Sequence, residues 1–542
     1  MNNIKLLDCT LRDGGYLNDW EFGHDNLISI FERLVSSGTE IIEIGFIDDR
    51  REFDINRSIM PCAACAREIY GKVEKKQVMI VGMIDYGTCS IENVGMSSDS
   101  YLDGIRVIFK KHLMHEAIAF CKKVKSKGYK VFTQAVSITS YSDDELMELI
   151  DLVNDLKPYA MSMVDTYGLL YKDNLMHFFV MLDKYLSKDI GLGYHAHNNF
   201  QLGYSNCMEV LRHETARQII IDGTLYGMGK SAGNAPIELL AMHLNECYEK
   251  KYDINQLLEA IDGNIMKFYQ QTPWGYNLFF YLAASNHCHP SYVQALMDNH
   301  TLSIKSINEI LDKLEEDKKL LFDKEYIEQL YFEYQQTKCD DSDAIEKLSK
   351  MLENRELLLL GPGNTIKKEM GKIQYFIKEY DPVVISINFI PDHIDVEYVF
   401  LSNPRRYIRL SNALKEEKNK NVKVIATSNV TKVKGEFYFT LNNSVLLDKD
   451  AEVMDYSFIM LLKALKSMKI RKVTCAGLDG YSETEDNYVE KDMEYWFARR
   501  NAASLNHYVQ QYLSENTKDM LVSFLTPSYY ANGEDMIEDE EL

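Results

Sequence analysis

The segment IKLLDCTLRDGG, residues 4–15, decides how the rest of the chain is read. Its first half is apolar enough for a buried strand. Its second half sets Asp8, Arg12 and Asp13 within six residues and breaks at two glycines. A buried strand that runs out into charge is typical of the C-terminal edge of a parallel sheet, where α/β enzymes gather their chemistry. Seven more β-rich runs follow, at residues 40–46, 77–83, 104–109, 130–136, 159–165, 191–197 and 218–223. Between them lie segments with helical apolar spacing, such as HDNLISIFERLVSSG (24–38) and DDELMELIDLVNDLKP (143–158). Eight strands alternating with helices predict an α/β fold, a (β/α)8 TIM barrel. A doubly wound open sheet competes, but the strand number and the length of the region favour closure.

At 542 residues the chain is too long for one ordinary core. We read residues 1–252 as the barrel, 253–354 as a helical extension and linker, and 355–542 as a Rossmann-like α/β domain. The last region opens on LLLLGPGNTIKK (357–368), a strand, a Gly-Pro-Gly turn and a helix, and further strand-like runs follow to residue 526. Gly361 and Gly363 are candidates for nucleotide or phosphosugar binding, because such a turn can present backbone N–H groups to phosphate. A tight structural turn is the alternative, since the third glycine and the ribose-binding acid of the dinucleotide fingerprint are not evident. In FLSNPRRYIRL (400–410), Arg405, Arg406 and Arg409 either bind an anionic group or line a solvated helix face.

A net charge of −22 argues against nucleic acid as a partner, because phosphate binding needs a basic face. No apolar run is long enough to span a bilayer, and the start lacks a signal-peptide pattern. The expectation is a cytoplasmic protein with small-molecule ligands and no membrane partner, with homo-oligomer formation left open. Ten cysteines without framework spacing read as reduced thiols, and Cys62 and Cys65 as helix-packing residues. The acidic stretch at 532–542 reads as a solvated tail.

GYHAHNN (193–199) carries His195 and His197, which point to one face of a strand because they are two residues apart. In a closed barrel, strands seven and one are separated only by strand eight, so Asp13 can approach the pair. Two imidazoles and a carboxylate suit a divalent cation, and the mixed oxygen and nitrogen set permits Mn2+, Mg2+, Zn2+ or Fe2+, with Mn2+ or Mg2+ favoured. Asn234, in GMGKSAGNAPIE (227–238), is either a fourth ligand, a hydrogen-bonding neighbour or a turn residue. Arg12 either steadies a developing enolate oxygen or closes the barrel rim by an ion pair. Glu43 alternates into the barrel, near the metal or in a salt bridge. Asp165 is a pocket residue or a helix cap. His287 and His289 read as helix-end or interface residues.

Together LDCTLRDGG, IIEIGF, GYHAHNN and GMGKSAGNAP resemble the DRE-TIM metallolyase superfamily over about residues 1–290. That superfamily includes 4-hydroxy-2-oxovalerate aldolases, hydroxymethylglutaryl-CoA lyases, and isopropylmalate and homocitrate synthases. The resemblance implies that Asp13, His195 and His197 hold the metal and that Arg12 stabilises an enolate. It implies a carbon–carbon lyase: an aldolase acting on a 4-hydroxy-2-oxo acid through a metal-bound pyruvate enolate. A Claisen-type acyl-CoA enzyme is the second reading, and a catalytically altered metal-binding scaffold the third. The RDGG form and the glycine-rich segment look most like the aldolase branch. Tyr16 departs from it, standing where those aldolases usually carry a histidine base. Tyr276, in PWGYN, resembles an aromatic that reaches the substrate in related aldolases.

Overall fold

A computed structural model describes residues 3–537, apart from 299–301, 320–321, 336–338, 433, 449–450, 452, 491–492, 495, 517–519 and 532–535. Most of the acidic C-terminal stretch lies outside these residues. The chain divides into two compact units, Met1–Pro290 and Ser291–Leu542.

The first unit is a closed barrel of eight parallel strands: β1 (Ile4–Asp8), β2 (Ile41–Ile47), β3 (Met79–Asp85), β4 (Gly104–Phe109), β5 (Lys130–Ala135), β6 (Ala160–Asp165), β7 (Gly191–Ala196) and β8 (Ile219–Gly223). Each coincides with one of the eight runs read from the sequence, β2 reaching one residue and β3 two residues beyond its run. Closure is explicit in the pairing, since β1 meets β8 through Leu6 and Ile221 and meets β2 through Leu7 and Ile41. A two-residue strand, Ile59–Met60, pairs with the outer end of β2 beyond a register shift between Glu43 and Phe46. Gly45 sits in that shift at φ 149°, and a Cβ there would lie 1.7 Å from the Ser58 carbonyl oxygen. A side chain is thus excluded where the two backbones touch.

Strand alternation sorts the barrel interior into layers. At the N-terminal end, Leu7, Ile41, Val81, Phe132, Ala160 and Ile220 form an apolar plug. Two residues further along the strands, the inward positions become polar: Glu43, Arg106, Gln134, Ser162 and Asp222, each at most 1% exposed. Above this layer lie His195, His197 and the turn after β1. The other strand faces pack on the surrounding helices. Helix Asp143–Leu156 shows why such segments form. It buries Leu146, Leu149, Ile150, Val153 and Leu156 on one face. Its start is closed by Ser142 and Glu145, each side chain accepting from the other's backbone N–H, an arrangement worth about 1 kcal/mol.

The second unit carries a seven-stranded, all-parallel sheet: β9 (Leu357–Leu360), β10 (Val383–Ile387), β11 (Tyr398–Leu401), β12 (Lys423–Thr427), β13 (Phe439–Leu441), β14 (Lys472–Ala476) and β15 (Leu521–Phe524). Its spatial order is β13-β12-β11-β10-β9-β14-β15. The order reverses beside β9, as it does beside the first strand of a Rossmann sheet, but five strands run to one side here instead of three. Among the described residues no helix is long and apolar enough to cross a membrane.

Asp8 ends β1 fully buried, accepting from the Thr10 backbone N–H and hydroxyl. Burial outweighs those bonds and pushes its carboxyl from 3.8 to about 7. The native state therefore keeps a proton that the unfolded chain loses, and stability falls as pH rises from about 4 to about 7. Urea titrations across that range should show this slope, and Asp8→Asn should reduce it.

Candidate metal centre

The short helical turn Thr10–Asp13 that follows β1 carries Arg12 and Asp13 into the barrel mouth. One ligand atom each from Asp13, His195 and His197 lies within 4.8 Å of the others, and the residues are 1%, 3% and 4% exposed. The histidine Nδ1 atoms face acceptors: Asp222 Oδ2 at 3.0 Å from His195, and the Lys230 carbonyl oxygen at 3.2 Å from His197. An ionised carboxylate and a carbonyl only accept, so each Nδ1 carries the proton and each Nε2 keeps a lone pair. Metal-binding imidazoles are oriented in this way. Asn234 donates to Asp13 Oδ2 at 2.6 Å, and its own buried Oδ1 has no hydrogen-bond partner among the described residues. The set fits a divalent cation bound through oxygen and nitrogen, with that orphan oxygen as an additional donor.

The electrostatics agree. Burial alone would raise Asp13, but Arg12, His197 and His195 hold its carboxyl well below the usual range, so it is ionised. Burial, aided by His195, Lys230 and Arg12, pushes His197 down to about 3, leaving it neutral. A second cluster, Cys9, His195 and Asp222, is equally tight. It suits a metal less well. Burial raises the Cys9 thiol far above its ordinary value, and Asp222 is engaged with Arg106.

Below the mouth runs a buried charge network. Arg12 binds Asp13 and, at 2.7 Å, Glu43. Arg106 lies 3.1 Å from Glu43 and pairs with Asp222, which holds His195. Three carboxylates thus face two guanidinium groups, leaving one negative charge in excess. A cation at the histidines would reverse that excess.

The structure brings Asp13, His195, His197, Asn234 and Arg12 together, and places Glu43 beneath them in the salt bridge that was one of its two readings. Tyr16 stands at the mouth, 42% exposed, its ring edge-on to Trp20 and Phe46. Desolvation raises its phenol above the ordinary value against the pull of Arg12, so it is protonated at neutral pH. Tyr276 is 52% exposed and packs on Tyr281, with no described contact to Asp13 or the histidines. Asp165 accepts from the backbone N–H groups of Leu169 and Leu170, closing the turn ahead of the helix Lys172–Tyr185, whose N-cap is Tyr171, so it is not the helix cap. In the second unit, Gly361 and Gly363 lie between β9 and the four-residue helix Thr365–Lys368, with the Asp479 carboxylate against Gly363.

Three residues escaped the sequence reading. Arg106 and Asp222 occupy inward positions of β4 and β8, and their signal was a lone charge inside GIRVIF and QIIIDG. Lys230 lies between the glycines of GMGKSAGNAP. Its backbone N–H reaches Asp13 Oδ2 at 3.3 Å, and its ammonium lies 5.2 Å from the Tyr16 ring centre. No carboxylate among the described residues lies within ion-pair distance of that ammonium, and desolvation lowers its pKa.

Arg106→Met strips both Glu43 and Asp222 of a partner and should destabilise the barrel by about 3–5 kcal/mol, read as a lower urea midpoint. Adding Mn2+ to chelator-treated protein should raise its melting temperature, as any ligand of the native state does. Asp13→Asn and His197→Gln should abolish that rise. An equal rise in both variants would mean that the ion binds elsewhere.

The chain has relatives among known proteins. An oxaloacetate decarboxylase from Mycobacterium tuberculosis is 25% identical over 285 residues, 51% of this chain and 82% of that protein. A 4-hydroxy-2-oxovalerate aldolase from Salinispora arenicola is 25% identical over 275 residues, 50% of this chain and 77% of the relative. Among solved structures, the N-terminal domain of a candidate aldolase from Bacteroides vulgatus is 24% identical, covering 56% of this chain and 99% of that one at a TM-score of 0.47. The HMGL-like family profile matches residues 3–262. The N-terminal half of this chain is therefore an HMGL-like domain, a member of the DRE-TIM metallolyases.

Proposed function

We propose that the barrel is a divalent-metal-dependent aldolase that cleaves or forms the C3–C4 bond of a 4-hydroxy-2-oxo acid. The observation that carries this reading is the Asp13, His195 and His197 cluster, with both Nδ1 atoms tied back and Arg12 held beside it by Glu43. The two curated relatives support it, because both names place a 2-oxo acid at a carbon–carbon lyase. Mn2+ or Mg2+ suits the mixed donors, with Zn2+ as the alternative. The ion would supply Lewis-acid polarisation of the oxo-acid oxygens.

The chain's own groups account for the rest. Arg12 engages Nε with Glu43 and one terminal nitrogen with Asp13. Its remaining N–H groups are directed to the oxygen on which charge develops when C3–C4 breaks. In the cleavage direction, the C4 hydroxyl passes its proton to water, C4 leaves as an aldehyde, and the bonding pair passes to C3 and the C2 oxygen. Return of a proton from water to C3 then yields pyruvate. Glu43 acts through Arg12 as a positioning residue. Tyr16, protonated at neutral pH, serves as a hydrogen-bond donor at the mouth in place of a base. The Lys230 ammonium, half-buried and with no carboxylate at ion-pair distance among the described residues, is a seat for an anionic or strongly polar group at the far end of the substrate.

The test is metal-dependent pyruvate release from a series of 4-hydroxy-2-oxo acids. Arg12→Lys should lower kcat by about 10²-fold or more, as loss of a charge-stabilising donor does. Lys230→Met should act mainly through KM. Release of CoA thiol without pyruvate would favour the Claisen-type reading, to which 2-isopropylmalate synthase relatives lend support. Metal binding without turnover of either substrate class would favour the scaffold.

A further inference from the structure

The second unit holds a cavity of about 160 Å3 whose walls are built where the strand order reverses. Gly363 follows β9, Asn388 follows β10, and Gly477 to Gly480 follow β14, and all of these loops line it. This is where open parallel sheets bind ligands. The sequence suggested a phosphate-bearing ligand at the Gly-Pro-Gly turn, but the structure fills that place with protein. The Asp479 carboxylate accepts the Thr365 backbone N–H at 2.8 Å and the Thr365 hydroxyl. A Cβ on Gly363 would collide with that carboxyl group. Asp298, Asp455 and Asp479 all border the cavity against one guanidinium, Arg406, so an anionic ligand meets excess negative charge.

The hydroxyls on the wall are bound to one another. Tyr530 bonds to Tyr456, Tyr456 to Tyr481, and the Tyr481 and Tyr488 oxygens lie 3.3 Å apart. These three bonds take three of the four protons, and Tyr481 and Tyr488 have further partners besides. Each hydroxyl oxygen carries two lone pairs, so the chain is richer in acceptors than in donors. The Asn487 amide nitrogen is committed as well, to the Ser482 carbonyl and the Glu494 carboxylate.

Asp455 decides the sign of the ligand. Its side chain lines the cavity, and the one bond its carboxylate accepts among the described residues is from its own backbone N–H. Desolvation holds its carboxyl up to about 6, so it is ionised at neutral pH. The other acids are answered within the protein, Asp298 by Gln294 at 2.8 Å and Asp479 by Thr365. Arg406 donates to the Met493 carbonyl at 2.6 Å and lies 5.7 Å from the Tyr488 ring centre, so one ring of this wall already carries a cation. A desolvated carboxylate costs free energy until it is paired, and aromatic rings beside it favour a positive partner.

We propose that this cavity binds a small organic cation, an ammonium ion no larger than one six-membered ring. Its charge pairs with Asp455, and its carbon skeleton packs on the tyrosines. A cavity of about 150 Å3 accommodates benzene, which sets the size. The inference is independent of the chemistry assigned to the barrel.

Calorimetry and saturation-transfer NMR on the full chain at neutral pH test it. The probes are charged and uncharged pairs of one shape: cyclohexylamine with cyclohexanol, and choline with its all-carbon alcohol. Inorganic phosphate and AMP are the anionic controls. At least one of the cations should bind in the millimolar range or better, and about tenfold or more above its uncharged mate. Cyclohexylamine ahead of choline assigns the ligand to protonated amines, and the reverse order to quaternary ones. Asp455→Asn should weaken the cation by about tenfold or more and leave its uncharged mate unaffected, without lowering the melting temperature or changing Mn2+ binding. Silence of both cations overturns the proposal. So does equal binding of each cation and its mate, preferential binding of phosphate or AMP, or cation binding that the folded Asp455→Asn protein retains in full.

Discussion

The barrel depends on two guanidinium groups held at its centre without access to water. Arg106 is fully buried and Arg12 is 3% exposed, and each survives only because carboxylates meet it at hydrogen-bonding distance. Desolvating such groups costs several kcal/mol each unless the geometry is good. The network therefore constrains five of the eight strands or their loops at once: the turn after β1, β2, β4 and β8 directly, and β7 through His195. An apolar layer of the same volume would give equal or greater stability. What the ionic layer provides is a fixed orientation for Arg12 and for the His195 ring, the two groups that stand between the core and the mouth.

This arrangement explains why the mouth suits a cation first and an anion after it. The network has one negative charge in excess, which favours a divalent ion. With the ion in place the sign reverses, which favours an anionic substrate. His197 adds no charge of its own, because burial pushes it down to about 3. Tyr16 and Lys230 then shape the rim. A protonated phenol and an ammonium both donate, so the rim presents hydrogen-bond donors.

The second unit follows a different electrostatic logic. Its parallel sheet places loops from several strand ends around one cavity, as doubly wound sheets do, but the charges of Asp479 and Arg406 are satisfied internally. Asp479 caps the turn where a phosphate would dock, and Arg406 covers one aromatic ring.

Local pattern alone determined much of this molecule. Apolar runs with helical segments between them located all eight barrel strands and the seven strands of the second sheet, because burial on both faces demands continuous apolar residues. The two-residue spacing of His195 and His197 placed both rings on one face for the same geometric reason. The pairing of those rings with Asp13 was an inference from closure, and in the structure one ligand atom of each lies within 4.8 Å of the others. What local pattern left undecided depends on contacts between distant residues. Arg106 and Asp222 are 116 residues apart, and nothing in GIRVIF or QIIIDG tells that the lone charges meet. Glu43 had two readings until Arg12 and Arg106 were seen on either side of it. GPGNT reads as a phosphate turn until Asp479, 114 residues beyond Thr365, is found occupying it. Periodicity specifies which face a side chain takes, whereas only strand order and register decide which charge stands opposite.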